Sequence, residues 1–267
     1  MSLPVLIAGL LFAFGIGSDQ VRTFERLAAN EIKSKLIGDQ ASVSVSCKLN
    51  GFVGGALGDL KSATIKARNF STNGLPLFTE PQRSKRGIIR SLNLELTNFE
   101  LAGLRVEQLS ATIPDCRFDY DLAVKRKSIR LSKSGTGDGV VRVRADALEA
   151  FILRKFREIK TVKVMLSPGQ IKVSGYGEFL LIQTNFEVLA KLSSPDGTSL
   201  FLTKTQINFD GNPAGDQASK VLLDTLNPVV SFPADLGLYD AVRVRKIVIG
   251  DGFLEAYGDT KIPDLPI

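Results

Sequence analysis

Three aspartates are the first residues of this chain that could do chemistry: Asp115, Asp119 and Asp121. Neighbouring carboxylates serve general acid–base catalysis when a reacting group lies between them. On an alternating stretch, however, odd positions share one face, and no partner base accompanies them. A solvated acidic face is the better reading. The chain contains no histidine, which removes the commonest general base, the commonest zinc ligand and the usual hydrolase triad. Two cysteines, Cys47 and Cys116, make a poor metal site without it. Both sit in strand-like stretches, so they either meet across a sheet as one disulfide or stay apart as buried apolar thiols. Ser134-Gly135-Thr136-Gly137-Asp138-Gly139 has the glycine content of a phosphate-cradling loop, but no Gly-Lys-Ser/Thr ending follows. Val140 to Arg144 then reads as strand, which points to a hairpin tip. No enzyme, cofactor or metal is expected.

The cations offer binding chemistry instead. Net charge is +6 over 267 residues, a mild excess spread along the chain that suits anionic surfaces. Lys125, Arg126 and Lys127 form a basic turn with Arg130 close behind. They could hold an anionic headgroup or lean on an anionic bilayer, each worth about 1 kcal/mol near such a surface. An ordinary solvated hairpin tip is the plainer alternative. Nucleic acid is poorly supported, because no aromatics interleave with these cations.

The elements that must position these residues follow from hydropathy. Apolar and polar residues alternate through nearly the whole chain, as in Arg90 to Leu96, where Leu92, Leu94 and Leu96 oppose Ser91, Asn93 and Glu95. Cys116, Phe118, Tyr120 and Leu122 do the same. Such alternation describes sheets with one apolar face. Helical spacing occurs in three places. Asp19 to Ile37 carries Val21, Phe24, Leu27, Ala28, Ile32 and Leu36 on one stripe and ends near Gly38. A second helix opens at Asp146, with Glu149 at capping-box spacing. A third runs from about Gly215 to Leu226 and is ended by Asn227-Pro228. Long strands are expected over Gly87 to Leu101 and Gly103 to Ile113, with a bulge near Glu107-Gln108 where apolar parity changes. Ser167-Pro168-Gly169 and Ser194-Pro195-Asp196-Gly197 mark hairpins, and Val242 to Tyr257 forms a last one. The fold class is therefore α+β, a single domain over 18–267.

Residues 1–17 read as a separate segment. Leu3 to Phe14 is an apolar run of signal-peptide length, followed by Gly15 and Gly17, although it lacks a lysine or arginine before it. A buried N-terminal helix is the alternative. Export to a periplasmic or cell-envelope location is the stronger expectation.

The order of elements resembles the bacterial LmeA-like phospholipid-binding family, itself similar to the tubular lipid-binding (TULIP) superfamily. The likeness rests on the strand and glycine-rich loop Val43 to Gly58 followed by the strand Leu60 to Arg68. It rests also on the strand-to-helix passage Val141 to Leu148, on Leu226-Asn227-Pro228-Val229-Val230, and on Val242-Arg243-Val244 before a Gly-Asp-Gly hairpin. It covers roughly Asp19 to Tyr257. The resemblance implies a long N-terminal helix wrapped by a curved antiparallel sheet, a half-tube enclosing an apolar groove for the acyl chains of phospholipid or a similar lipid. It supplies no catalytic residue. Both readings place the groove between the first helix and the sheet, lined by Phe24, Leu27, Ala28, Ile32, Val43, Val45, Leu92, Leu94, Leu96, Phe118 and Tyr120. A β-rich scaffold of the envelope, packed fully and without a lipid cavity, is the competing expectation.

Overall fold

The alternating stretches become long strands in the computed structural model, which describes residues 18–51, 54, 58–74, 86–126, 128–179 and 182–263. After helix α1 (Ser18–Lys33) come β1 (Ser42–Leu49), β2 (Asp59–Thr72), β3 (Gly87–Leu101) and β4 (Leu104–Phe118). Helix α2 (Tyr120–Arg126), β5 (Leu131–Lys133) and β6 (Gly137–Arg144) follow, then α3 (Ala145–Lys155). The second half holds β7 (Ile159–Ser167), β8 (Gln170–Phe179), β9 (Ile182–Ser193), β10 (Ser199–Phe209), β11 (Asn212–Pro213) and α4 (Asp216–Leu226). It ends with β12 (Val230–Ser231), α5 (Phe232–Leu236), β13 (Val242–Ile249) and β14 (Phe253–Thr260). The fold is α+β, as the patterning predicts.

Two sheets result. The larger runs β1-β2-β3-β4-β6-β14-β13, with β5 beside β4, and the smaller runs β11-β10-β9-β8-β7, with β12 on β10. Pairing is antiparallel apart from the parallel β2–β3 ladder. Among the described residues no pairing joins β1 to β13, so the larger sheet is not a closed barrel.

The parity change expected near Glu107-Gln108 is present, and it belongs to a row. Inward positions skip from Ala67 to Phe70 on β2, Leu96 to Phe99 on β3, and Leu109 to Val106 on β4. Asn69 and Asn98, neighbours across β2–β3, sit at that level with φ of 57° and 49°. Asparagine tolerates this left-handed backbone better than most residues. A second row crosses the same strands where Leu60, Ile89 and Cys116 face inward out of step with Ala63, Leu92 and Ile113. Asp115 lies there with φ of 51°. Each such irregularity bends the strand it interrupts and increases its twist.

Several local expectations need correction. α1 ends at Lys33 rather than Ile37, because Ile37 exchanges two backbone hydrogen bonds with Ser71 at the end of β2. The helix lies along β1 at the sheet edge. The strand expected over Cys116 to Val124 stops at Phe118. There Asp119 accepts a hydrogen bond from the Leu122 N–H at 2.9 Å, capping α2. Ser134 to Gly139 is no hairpin tip: β5 and β6 both run antiparallel to β4 as one interrupted strand. The interruption faces Pro114, which has no N–H to offer a ladder. A Cβ at Gly137 would sit 1.9 Å from the Thr112 carbonyl oxygen, so glycine is required for that approach. The capping box at Asp146 does not form. Glu149 accepts instead from the Val164 N–H at 2.9 Å.

One apolar core joins the inner faces of both sheets with α3 and α4, from Phe99 and Leu104 to Val188 and Leu222. A smaller cluster under α1 holds Leu60, Leu92, Cys116 and Phe118, with Phe24 packed against it.

Candidate functional site

The apolar stripe of α1 is too short to cover the sheet that faces it. Phe24, Ala28 and Ile32 recur at four-residue spacing, yet Ala28 alone of them is buried. The strands beyond present leucines and phenylalanines over some 30 Å of their length. A cavity of about 250 Å³ remains against the inner face of β2, β3, β4, β6, β13 and β14, bordered on the α1 side by Ile32 and the following Leu36. Phe232 and Leu236 of α5 and Leu200 of β10 close its far end. A smaller cavity of about 60 Å³ lies directly under α1, and the two share Ile32, Ile65, Leu92 and Leu131.

Of the eleven residues expected to line a groove, Ile32, Leu92, Leu94 and Leu96 border the larger cavity. Phe24, Val45 and Phe118 border the smaller one, together with Ile32 and Leu92. The other four do not line either. Ala28 is buried at the helix–sheet contact, and Val43 packs against the main core. Leu27 is half-buried on α1. Tyr120 sits on α2, edge-on to Phe118 with ring centroids 6.3 Å apart. The sequence also signalled lining positions that were not singled out, since Ile65, Ala67, Phe99 and Ala111 alternate on strands already recognised. Phe232, Leu236 and Leu238 carried no local signal, because only tertiary folding brings them there.

The wall is apolar except near Ser110 and the segment Asp259 to Lys261. The charged side chains of that segment are occupied. Lys261 Nζ lies 2.5 Å from Asp240, and Arg245 Nε lies 3.1 Å from Asp259 while its guanidinium also meets Asp138.

α1 is fixed over the smaller cavity by two glutamates. Glu25 Oε1 accepts from the Cys47 N–H on the edge strand β1 at 2.6 Å. Glu31 accepts from Arg130 Nη1 at 2.7 Å, Ser128 Oγ at 2.8 Å and the Ile129 N–H at 3.1 Å. Burial works to raise the Glu31 carboxyl, but the bonds from Arg130, Ser128 and Ile129 outweigh it and hold it below the usual range.

The candidate headgroup cluster is thereby divided. Arg130 is engaged with Glu31 and with its neighbour's carbonyl, so its guanidinium is committed to holding α1. Lys125 and Arg126 stand exposed in the last turn of α2, not at a hairpin tip. Lys127 lies outside the described residues, as does the expected signal segment 1–17.

No protein-family model, no curated protein and no solved structure matches this chain. The site must be read from its own geometry.

That geometry separates the cysteines. Cys47 on β1 and Cys116 on β4 are free thiols with β2 and β3 between them. At 4.7–4.9 Å per strand they stand roughly 14 Å apart, whereas a disulfide needs Cα atoms within about 7 Å. The disulfide alternative is therefore excluded in this fold. Burial, aided by Glu25 for Cys47 and Asp115 for Cys116, pushes both thiols up to about 12. They are protonated, unreactive core groups. The aspartates do not converge either. Asp119 caps α2, Asp121 pairs with Arg86, and Asp115 occupies the strand irregularity. Among the described residues no three His, Cys, Asp or Glu side chains stand close enough to hold a metal ion.

Proposed function

We propose that the protein binds an acyl lipid, taking a hydrocarbon chain into the cavity between α1 and the larger sheet, without catalysing a reaction. The observation that carries this reading is the cavity of about 250 Å³ with an almost wholly apolar wall. Apolar space of that size in an otherwise packed protein is a binding site's signature, since interiors normally close to crystal-like density. Each methylene moved from water into such a wall contributes about 0.8 kcal/mol, so ten contribute roughly 8 kcal/mol before the losses of association. The volume falls just under the roughly 300–1,000 Å³ of pockets for drug-sized ligands, which favours one chain over two. The order of elements, similar to that of envelope phospholipid binders, and the apolar run Leu3 to Phe14 support action at a bacterial cell envelope after export.

Uptake of a fluorescent phospholipid by delipidated protein tests the reading. Saturable uptake, lost when Ala111→Phe narrows the cavity, is the expected result. No uptake by correctly folded protein would favour a scaffold role.

A further inference from the structure

The helix that walls the cavity is cationic on its other side. Arg22, Arg26 and Lys33 fall within about 40° of one another on α1, opposite Phe24, Ala28 and Ile32, and all three are exposed. Lys35 is exposed in the turn that follows. The acids of α1 with described side chains are turned elsewhere, Glu25 to the Cys47 N–H and Glu31 to Ser128, Ile129 and Arg130. That second anchorage has a consequence for charge. It is made on the flank of α1 away from Arg22, Arg26 and Lys33, because Glu31 lies roughly 140–180° around the helix from them, so its carboxylate does not offset their charge. Among the described residues none of Arg22, Arg26, Lys33 and Lys35 forms an ion pair, whereas Lys66, Arg105, Lys155 and Lys172 elsewhere are each paired.

The fold also gives a line along which to divide the net charge. Residues 1–133, which form α1, α2 and β1 to β5, hold 19 Lys and Arg against 12 Asp and Glu. Residues 134–267 hold 15 against 16. The excess that looked spread along the chain thus belongs wholly to the half that carries α1.

We infer that this cationic face of α1, Arg22, Arg26 and Lys33, docks the protein on an anionic lipid bilayer. A bilayer is favoured over nucleic acid because the α1 face offers no exposed aromatic side chain on which bases could stack. A broad surface of negative charge needs no such platform, only cations within a Debye length of it. Docking in this orientation lays the outer wall of the cavity against the membrane. The inference stands without a lipid inside the cavity, so it can hold or fail independently of the function proposed above.

Flotation of the full chain with phosphatidylglycerol–phosphatidylcholine vesicles tests it, with pure phosphatidylcholine vesicles alongside. The expected result is binding to the anionic vesicles alone, weakened by salt. Arg22→Glu, Arg26→Glu and Lys33→Glu together should weaken it at least tenfold, since each cation near such a surface is worth about fivefold. The matched control, Arg157→Glu, Lys191→Glu and Lys220→Glu, removes equal charge from exposed positions of the other half and should keep most of the binding. A glutamine version of the α1 triple guards against misfolding, with its circular dichroism and melting compared with wild type. Equal loss in both triples would overturn the inference, as would no binding to anionic vesicles. Binding to single-stranded nucleic acid with none to vesicles would overturn it in favour of the other partner.

Discussion

Helices α1 and α3 occupy equivalent stations in the two halves, and they do different things there. Each lies beside an edge strand and each uses a glutamate to accept an outward strand N–H, Glu25 from Cys47 and Glu149 from Val164. Edge strands with unpaired N–H groups invite association, so both glutamates also blunt a hazard. Beneath α3, however, Ala147, Leu148, Phe151 and Ile152 are all buried, and the residual void is about 20 Å³. Beneath α1 lies a void of about 60 Å³, and Ile32 also borders the larger cavity of about 250 Å³, whose wall Leu148 of α3 touches as well. Equal architecture with unequal filling shows that α3 is part of the core, while α1 is a cover over a space.

The largest effect that sharpens this contrast is on global stability. Phe151→Ala should destabilise the protein by about 4 kcal/mol, the usual loss for a fully buried phenylalanine. Phe24→Ala, which borders space already empty, should cost roughly 1 kcal/mol. Urea titration of both variants checks the pair, and equal losses would erase the distinction between core helix and cover helix.

Filling the two regions should act with opposite signs. Ala111→Phe places a ring into the larger cavity and should leave stability unchanged or raise it by about 1 kcal/mol through new apolar contact. Val173→Phe enters the packed region under α3, where overpacking costs about 1–3 kcal/mol. Thermal melts of the lipid-free variants read the sign directly. A large loss in the first would mean that the cavity has no room to give.

How much of this was legible in the sequence differs between the same two regions. The hairpins at Ser167-Pro168-Gly169 and Ser194 to Gly197 were readable because turn chemistry is local, and β7–β8 and β9–β10 form around them. The stripe of α1 and the parity change at Glu107 were readable for the same reason. What escaped depends on partners distant in sequence. Ile37 leaves the helix only because Ser71 is beside it, and Tyr120 leaves the strand because Asp119 caps a helix that alternation had hidden. The cavity itself was half legible. Ile32, Leu92, Leu94 and Leu96 could be placed on apolar faces, but Phe232, Leu236 and Leu238 reach the site from the far half of the chain. No local period encodes that closure.

A smaller effect concerns the latch on α1. The Glu31 carboxyl has its pKa lowered on folding, so its bonds contribute fully above its ordinary value of 4.5 and are lost as pH falls through the depressed folded value. Protection of the α1 amides, taken relative to the intrinsic exchange rate at each pH, should therefore fall as acid is added, before that of α3 does. Glu31→Gln should remove that acid-dependent step and loosen α1 at neutral pH by about 1 kcal/mol, the scale of a lost hydrogen bond to a charged group at a half-buried site. Unchanged α1 protection in the variant would show that the apolar stripe alone holds the helix.

Native mass spectrometry of the protein, purified under mild conditions and followed by lipid extraction, tests the central claim most directly. The account predicts a bound acyl lipid at one molecule per chain, absent from Ala111→Phe and retained in Glu149→Gln. A chain that emerges empty, and stays empty after incubation with phospholipid vesicles, would contradict it.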